Sequence, residues 1–264
     1  MTGARVRGGR PSLRVERSLQ RQGFTVLAGM DEVGRGALAG PVSVGVVLID
    51  PTCRSAPVGV RDSKLLPPSR RVALVAPVRR WALASAVGHA SPQEIDEIGI
   101  MAALRLAGSR ALADVEQATG AVPDLIILDG NHDWLTDPLR VGLFAAEDSG
   151  EPGDPGRGRG TPVAAPPVRT LIKADRSCSS VAAASILAKV ERDQQMIDLA
   201  PSHPAYRWEL NKGYAAPEHL AALARHGPCL EHRRSWQLPG VAGAGAPPPI
   251  GDDGCDDVVE VSWT

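Results

Sequence analysis

Aromatic residues are scarce in this sequence: five Trp, two Tyr and two Phe make up 3% of 264 residues. Ala, Val and Leu must fill most of any interior. Cysteine is also sparse, and Cys53, Cys178, Cys229 and Cys255 lie far apart. No C-x-x-C pair or Cys/His cluster suggests zinc, and no framework of half-cystines suggests a secreted scaffold. Long apolar runs are missing too. The longest, near residues 37–49, is broken by Gly40, Pro41 and Gly45 and is too short to span a bilayer. The N-terminus has arginines but no apolar core of a signal peptide. These absences lead us to expect a cytoplasmic protein with no membrane association. No G-x-x-x-x-G-K-[ST] loop occurs, which excludes a Walker-type phosphate site, and no internal repeat is visible.

An apolar fraction of 43% is ample for a core. The formal net charge of −1 hides an asymmetry, because residues 239–264 hold Asp252, Asp253, Asp256, Asp257 and Glu260 with no Lys or Arg. Without those five acids the net charge goes from −1 to +4. The rest of the chain is mildly basic and compatible with a polyanionic partner.

The most informative stretch is Asp31-Glu32-Val33-Gly34-Arg35-Gly36. It follows an apolar strand expected over 24–30. Two adjacent carboxylates diverge on a regular strand. At its end, one can hold a cation while the other supports from the flank. The glycines let backbone amides approach a ligand, and Arg35 suits phosphate. Gly34, Gly36 and Ala39 also fit the dinucleotide-binding pattern G-x-G-x-x-A, but that motif needs a helix to open there. Gly40-Pro41 and a β-branched run, Val42 to Ile49, follow instead and read as a second strand.

Further strands are expected at 41–49, 82–89, 125–128 and 169–174, and a short helix at 11–21. Ser91-Pro92-Gln93-Glu94 is a helix start with N-cap, Pro at N1 and a capping box; helical spacing carries it to about 118. Asp175 is expected to open a helix to about 199, and another fits 217–226. The order predicts an α/β fold, a mixed sheet flanked by helices. Residues 145–167 read as a disordered insertion and 239–264 as a flexible acidic tail, around a catalytic domain over 22–238 that includes a small helical C-terminal element; residues 1–21 are an N-terminal extension.

Asp31 and Asp129 are expected to end strands, and Asp175 to sit at a strand-to-helix junction. Strand ends on one sheet edge converge on one crevice. Taken singly, Asp129 before Gly130 is also ordinary turn chemistry and Asp175 an ordinary N-cap. Together, crowded carboxylates call for divalent cations, and hard oxygen ligands favour Mg2+ or Mn2+. Two such ions can bracket an in-line displacement at phosphorus.

Ordered motifs then resemble one family. They are Ala28-Gly-Met-Asp31-Glu-Val-Gly-Arg-Gly36 with Ala39-Gly-Pro41, Asp62-Ser-Lys-Leu65, Glu94-Ile-Asp-Glu97, Leu128-Asp-Gly130 and Lys173-Ala-Asp175. Val181 to Lys189 with Arg192-Asp193, Asn211-Lys-Gly-Tyr214 and His232-Arg-Arg-Ser-Trp236 complete them. The sequence resembles ribonuclease HII over roughly residues 24–238. The resemblance implies an RNase H-like fold and a metal-dependent endoribonuclease that cuts the RNA strand of RNA–DNA hybrids. It also implies nicking of duplex DNA at embedded ribonucleotides, leaving 3′-hydroxyl and 5′-phosphate ends. It makes Asp31, Glu32, Asp129 and Asp175 the catalytic, metal-binding carboxylates. Gly34, Arg35 and Gly36 would read the 2′-hydroxyl, Lys64 would contact phosphate, and Tyr214 would sense the RNA–DNA junction. The expected assembly is a monomer. The alternatives are a non-catalytic hybrid-binding protein and the sister ribonuclease HIII, against which the Gly-Arg-Gly turn speaks. The sequence departs from the family pattern in its long Asp129–Asp175 gap, at Gly99, at Ala215-Ala216 and at Trp208.

Overall fold

The computed structural model describes residues 10–137 and 166–241. The expected insertion and acidic tail, and the first residues of the N-terminal extension, therefore lie largely outside the described residues.

Among the described residues five strands form one sheet: β1 (Leu27–Val33), β2 (Val42–Ile49), β3 (Ala84–Ala90), β4 (Leu125–Asp129) and β5 (Val168–Leu171). Their order across the sheet is β3-β2-β1-β4-β5. β1 is antiparallel to β2, and β2 to β3, whereas β1–β4 and β4–β5 are parallel. This is the mixed α/β sheet expected. Every residue of β2 is buried, as a strand covered on both faces requires.

The helices are α1 (Arg14–Gln20), α2 (Pro68–Trp81), α3 (Pro92–Ile98), α4 (Ile100–Thr119), α5 (Ser179–Leu199), α6 (Trp208–Asn211) and α7 (Pro217–His226). α5 covers one sheet face, packing Val181, Ala182, Ala184 and Ile186 with Leu27, Val47, Ile49 and Ile127. α4 covers the other, packing Ala103, Leu104, Ala107 and Ala111 with Met30, Val44, Val46 and Leu128. The scarcity of aromatics has a structural counterpart here. α5 is rich in Ala and Ser and lies so close to β1 that a Cβ on Gly29 would sit 2.5 Å from the Ser180 backbone. Bulky side chains have no room at that interface. A third cluster (Leu38, Met196, Tyr206, Trp208, Leu223 and Leu238) carries the C-terminal helical element.

Two local expectations are corrected, and one helix is new. The helix after Ser91 has its capping box, but it breaks at Gly99 into α3 and α4. Gly99 has φ +79° and ψ 159°, a conformation that ends a right-handed helix and suits glycine. α2 was not anticipated; it holds Pro77 in its interior, a residue that ordinarily disfavours a helix. Beyond β5 the chain forms a short 3-10 turn, Ala174–Arg176, and α5 begins only at Ser179.

Candidate active site

β1 and β4 pair in parallel from Leu27↔Leu125 to Met30↔Leu128, and β5 follows β4. Their C-terminal ends open on one edge of the sheet. Asp31 is the first residue past the last parallel pair, Asp129 closes β4, and Asp175 lies in the turn after β5. Oxygens of the three side chains lie within 4.8 Å of one another. Asp31 does not end a strand as expected. β1 continues to Val33 through antiparallel pairing with β2, and it is β4 that stops, which leaves Asp31 open on that side.

Asp129 is oriented by the backbone: its Oδ1 accepts the Ala174 N–H at 2.6 Å. Lys173, in a left-handed conformation with φ 56°, precedes the turn that carries Asp175. Asp175 is not the anion at the helix N-terminus. That place is taken by the buried Glu16 of α1, whose Oε1 accepts from the Ser180 N–H at 3.0 Å and the Ser180 hydroxyl at 2.9 Å. Asp175 is thereby left without the helix-end stabilisation expected for it.

The electrostatics are those of crowded acids. Burial pushes the Asp31 carboxyl well up, and the charges of Glu32, Asp129 and Asp175 push it further; a hydrogen bond from Ser185 opposes them. Asp175 is pushed up to about 7, first by burial and then by Asp129 and Asp62, with Arg176 and Lys64 opposing. Asp129 is raised by burial, against bonds from the Ala174, Asp175 and Gly130 amides and the charge of Lys64. Three such groups are a poor home for bare negative charge and a good one for a divalent cation. Their all-oxygen donor set, with no His or Cys, fits a hard ion such as Mg2+ or Mn2+.

Glu32 is not among the three whose oxygens meet, yet its charge acts on Asp31 more than that of Asp129 or Asp175. Strand alternation turns it from Asp31, and its Oε1 lies 3.6 Å from Nη1 of Arg35. Lys64 is held by the turn Ser63–Leu65, where Asp62 accepts its N–H at 2.9 Å.

The Gly-Arg-Gly turn is braced by two buried arginines. Gly34 has φ +84°, and a Cβ there would lie 2.0 Å from Nε of Arg192. The Gly34 and Arg35 carbonyls accept from Arg233 at 2.5 and 2.7 Å. Arg192 donates to the carbonyls of Pro41, Ala39 and Lys212 at 2.8, 3.1 and 3.0 Å. Burial lowers both guanidinium pKa values, that of Arg233 to about 9 with Arg192 adding to the shift. Both stay cationic at neutral pH. Gly36, in contrast, is exposed with open space around it. The turn is tied to the Tyr214 loop, since Leu38 donates to the Gly213 carbonyl at 2.8 Å. The Tyr214 ring has Lys189 Nζ 5.3 Å and Arg192 Cζ 5.2 Å from its centroid.

Sequence reasoning quoted Asp62, Ser185, Arg192 and Arg233 within motifs but gave them no role, and it missed Arg176. A buried Arg without an acidic partner has no signal in a single sequence.

A model of the ribonuclease HII family matches residues 28–139 and 160–238. This chain belongs to the ribonuclease HII family. Ribonuclease HII of Streptomyces avermitilis is 44% identical over 227 residues, covering 86% of this chain and 83% of the relative. That of Paracoccus denitrificans is 40% identical over 229 residues, covering 86% and 91%. Among solved structures, ribonuclease H2 from Pyrococcus horikoshii aligns with TM-score 0.56 and 26% identity, over 81% of this chain and 94% of that one. Bst ribonuclease HIII in complex with Mn2+ aligns with TM-score 0.54 and 23% identity, over 77% and 63%, a likeness of fold. As a ribonuclease HII, the chain is an endoribonuclease of the ribonuclease H type, and among the described residues no helix is long and apolar enough to cross a membrane.

Proposed function

We propose that this ribonuclease HII hydrolyses the RNA strand of RNA–DNA hybrids and nicks duplex DNA on the 5′ side of single embedded ribonucleotides, leaving 3′-hydroxyl and 5′-phosphate ends. The observation that carries the reading is the trio of carboxylates within 4.8 Å on one sheet edge. Asp31, Glu32, Asp129 and Asp175 would hold Mg2+ or Mn2+, and the charge of Glu32 also acts on Asp31. Divalent ions bound there supply an activated water and neutralise charge on the phosphate.

The protein's own groups do the rest. The amide at Ala174 fixes the Asp129 carboxylate. Lys64, whose charge acts on Asp129 and Asp175, is suited to hold a phosphate beside them. Gly36, unhindered, lets the backbone approach a 2′-hydroxyl, the group that separates RNA from DNA. Tyr214 is suited to stack on the deoxyribonucleotide that follows. A catalytic unit over 22–238, a monomeric state and the cytoplasmic location belong to the same proposal.

The test is Asp31→Asn. Cleavage of a duplex carrying one ribonucleotide, with magnesium, should fall below about a tenth of wild type, because losing a metal ligand costs several kcal/mol of transition-state stabilisation. Hybrid binding should persist through Lys64 and the glycine turn. Turnover above that level would overturn the metal role.

A further inference from the structure

Two histidines are wholly buried in the C-terminal helical element, His219 on α7 and His232 in the loop that follows it. Their Nε2 atoms are 3.0 Å apart. Fixed neighbours decide where the protons sit. The Tyr214 carbonyl, only an acceptor, is 2.8 Å from Nδ1 of His219, so that nitrogen carries hydrogen. The Cys229 backbone N–H, only a donor, is 3.1 Å from Nδ1 of His232, so that nitrogen carries a lone pair. A neutral His232 then donates from Nε2 to the bare Nε2 of His219. The Trp208 indole N–H, 3.3 Å away, points at the same acceptor. Hydrogen bonds thus run in one direction, from the Cys229 amide through His232 and His219 to the carbonyl of Tyr214.

We infer that His219 and His232 are positioning residues: a neutral, single-tautomer pair that fixes the backbone of Tyr214 and so aims its ring at substrate. The inference rests on the reading of Tyr214 as the junction-sensing residue. The loop needs such a hold, because Lys212 and Gly213 just before Tyr214 both have positive φ, 53° and +83°. A further proton would break the chain wherever it landed. On Nε2 of His219 it would face two donors, and on Nδ1 of His232 it would face the Cys229 amide. The surroundings resist it. Burial, then His219 and His203, hold His232 down to about 4, with only the Cys229 amide bond opposing. Burial lowers His219 against the pull of the Tyr214 carbonyl and Glu218. The other titratable groups here are the Tyr206 ring 4.6 Å from His232, the Cys229 thiol, which burial and Glu231 push up, and Arg233 next in the chain. The thiol, 3.2 Å from Nδ1 of His232, stays a donor to the same lone pair.

Imidazole 15N NMR of the wild-type protein tests the pair directly. The proton should sit on Nδ1 of His219 and Nε2 of His232, and both rings should titrate below the 6.5 of a free imidazole. Rings that titrate near 6.5, or a proton on Nδ1 of His232, would overturn the inference. Function is read from kcat and KM on a duplex with one ribonucleotide and on a long RNA–DNA hybrid. His219→Asn keeps a donor near Tyr214, whereas His219→Gln keeps only the acceptor facing His232. His219→Gln should lose severalfold more than His219→Asn and should share its substrate pattern with Tyr214→Ala, itself down about tenfold on the single ribonucleotide. In a Tyr214→Ala background, His219→Gln should cost nothing more. Additive losses, or equal effects of Asn and Gln, would overturn it. If Tyr214→Ala falls equally on both substrates while the effects stay non-additive, positioning stands and junction sensing fails.

Discussion

At Asp175 the carboxyl reaches about 7 in the folded chain against an ordinary value of 3.8. Between those values the folded state binds a proton that the unfolded state lacks, so this group's contribution to stability falls as pH rises from about 4 to 7. Without metal, Asp175→Asn should therefore melt like wild type near pH 4 and above it at pH 8, by at least ~1 kcal/mol. Saturating Mg2+ should reverse the order at pH 8, because only wild type gains a full ligand set. Thermal melts in chelator and in magnesium, at both pH values, check this; a variant less stable than wild type in chelator at pH 8 would show that the Asp175 charge is not under strain. The residues of the trio were legible in the sequence because each sits by a strand end or a glycine turn. What brings Asp175 there was not. A left-handed Lys173 and an anion, Glu16, arriving from another helix leave no local pattern.

Among the elements, α5 depends on α1. Glu16 accepts two bonds at the N-terminus of α5 and is buried. Burial raises its pKa above 4.5, so its ionised form is held against a desolvation cost at neutral pH. Glu16→Ala should lower stability by about 1–2 kcal/mol, the scale of a lost helix cap. Glu16→Gln keeps an acceptor and drops the buried charge, and should recover most of that loss at pH 7. Urea unfolding of the three proteins decides it; equal losses in Ala and Gln would mean that the charge, not the acceptor, holds the helix. Elements with strong local signals were readable, above all β2 with its β-branched run and α3 with its capping box. α2, with Pro77 in its interior, carries a weak local signal, and the break at Gly99 reads as a helix interior until its φ is known.

Across the whole molecule, charge is divided along the chain. Deleting residues 242–264 removes five acids and moves the net charge from −1 to +4. Affinity for a hybrid at low salt should rise severalfold, and the gain should fade above about 0.3 M salt as screening shortens the reach of each charge. An unchanged affinity at low salt would show that the tail's charge does not reach the nucleic-acid surface. A mixed sheet with helices was legible from the order of elements, but its strand order was not. Pairing β1 with both β2 and β4 is a choice made by long-range packing. That choice has a practical consequence. Asp31 and Asp129 reach the site from the chain before residue 137, and Asp175 from the chain after 166. A cut between those positions would deal the acids into two fragments, neither of which holds the trio. Co-expressed, they would regain nuclease activity only by docking β5 beside β4 and α5 across the sheet. The enzyme would then serve as a reporter of its own reassembly, silent until two halves meet.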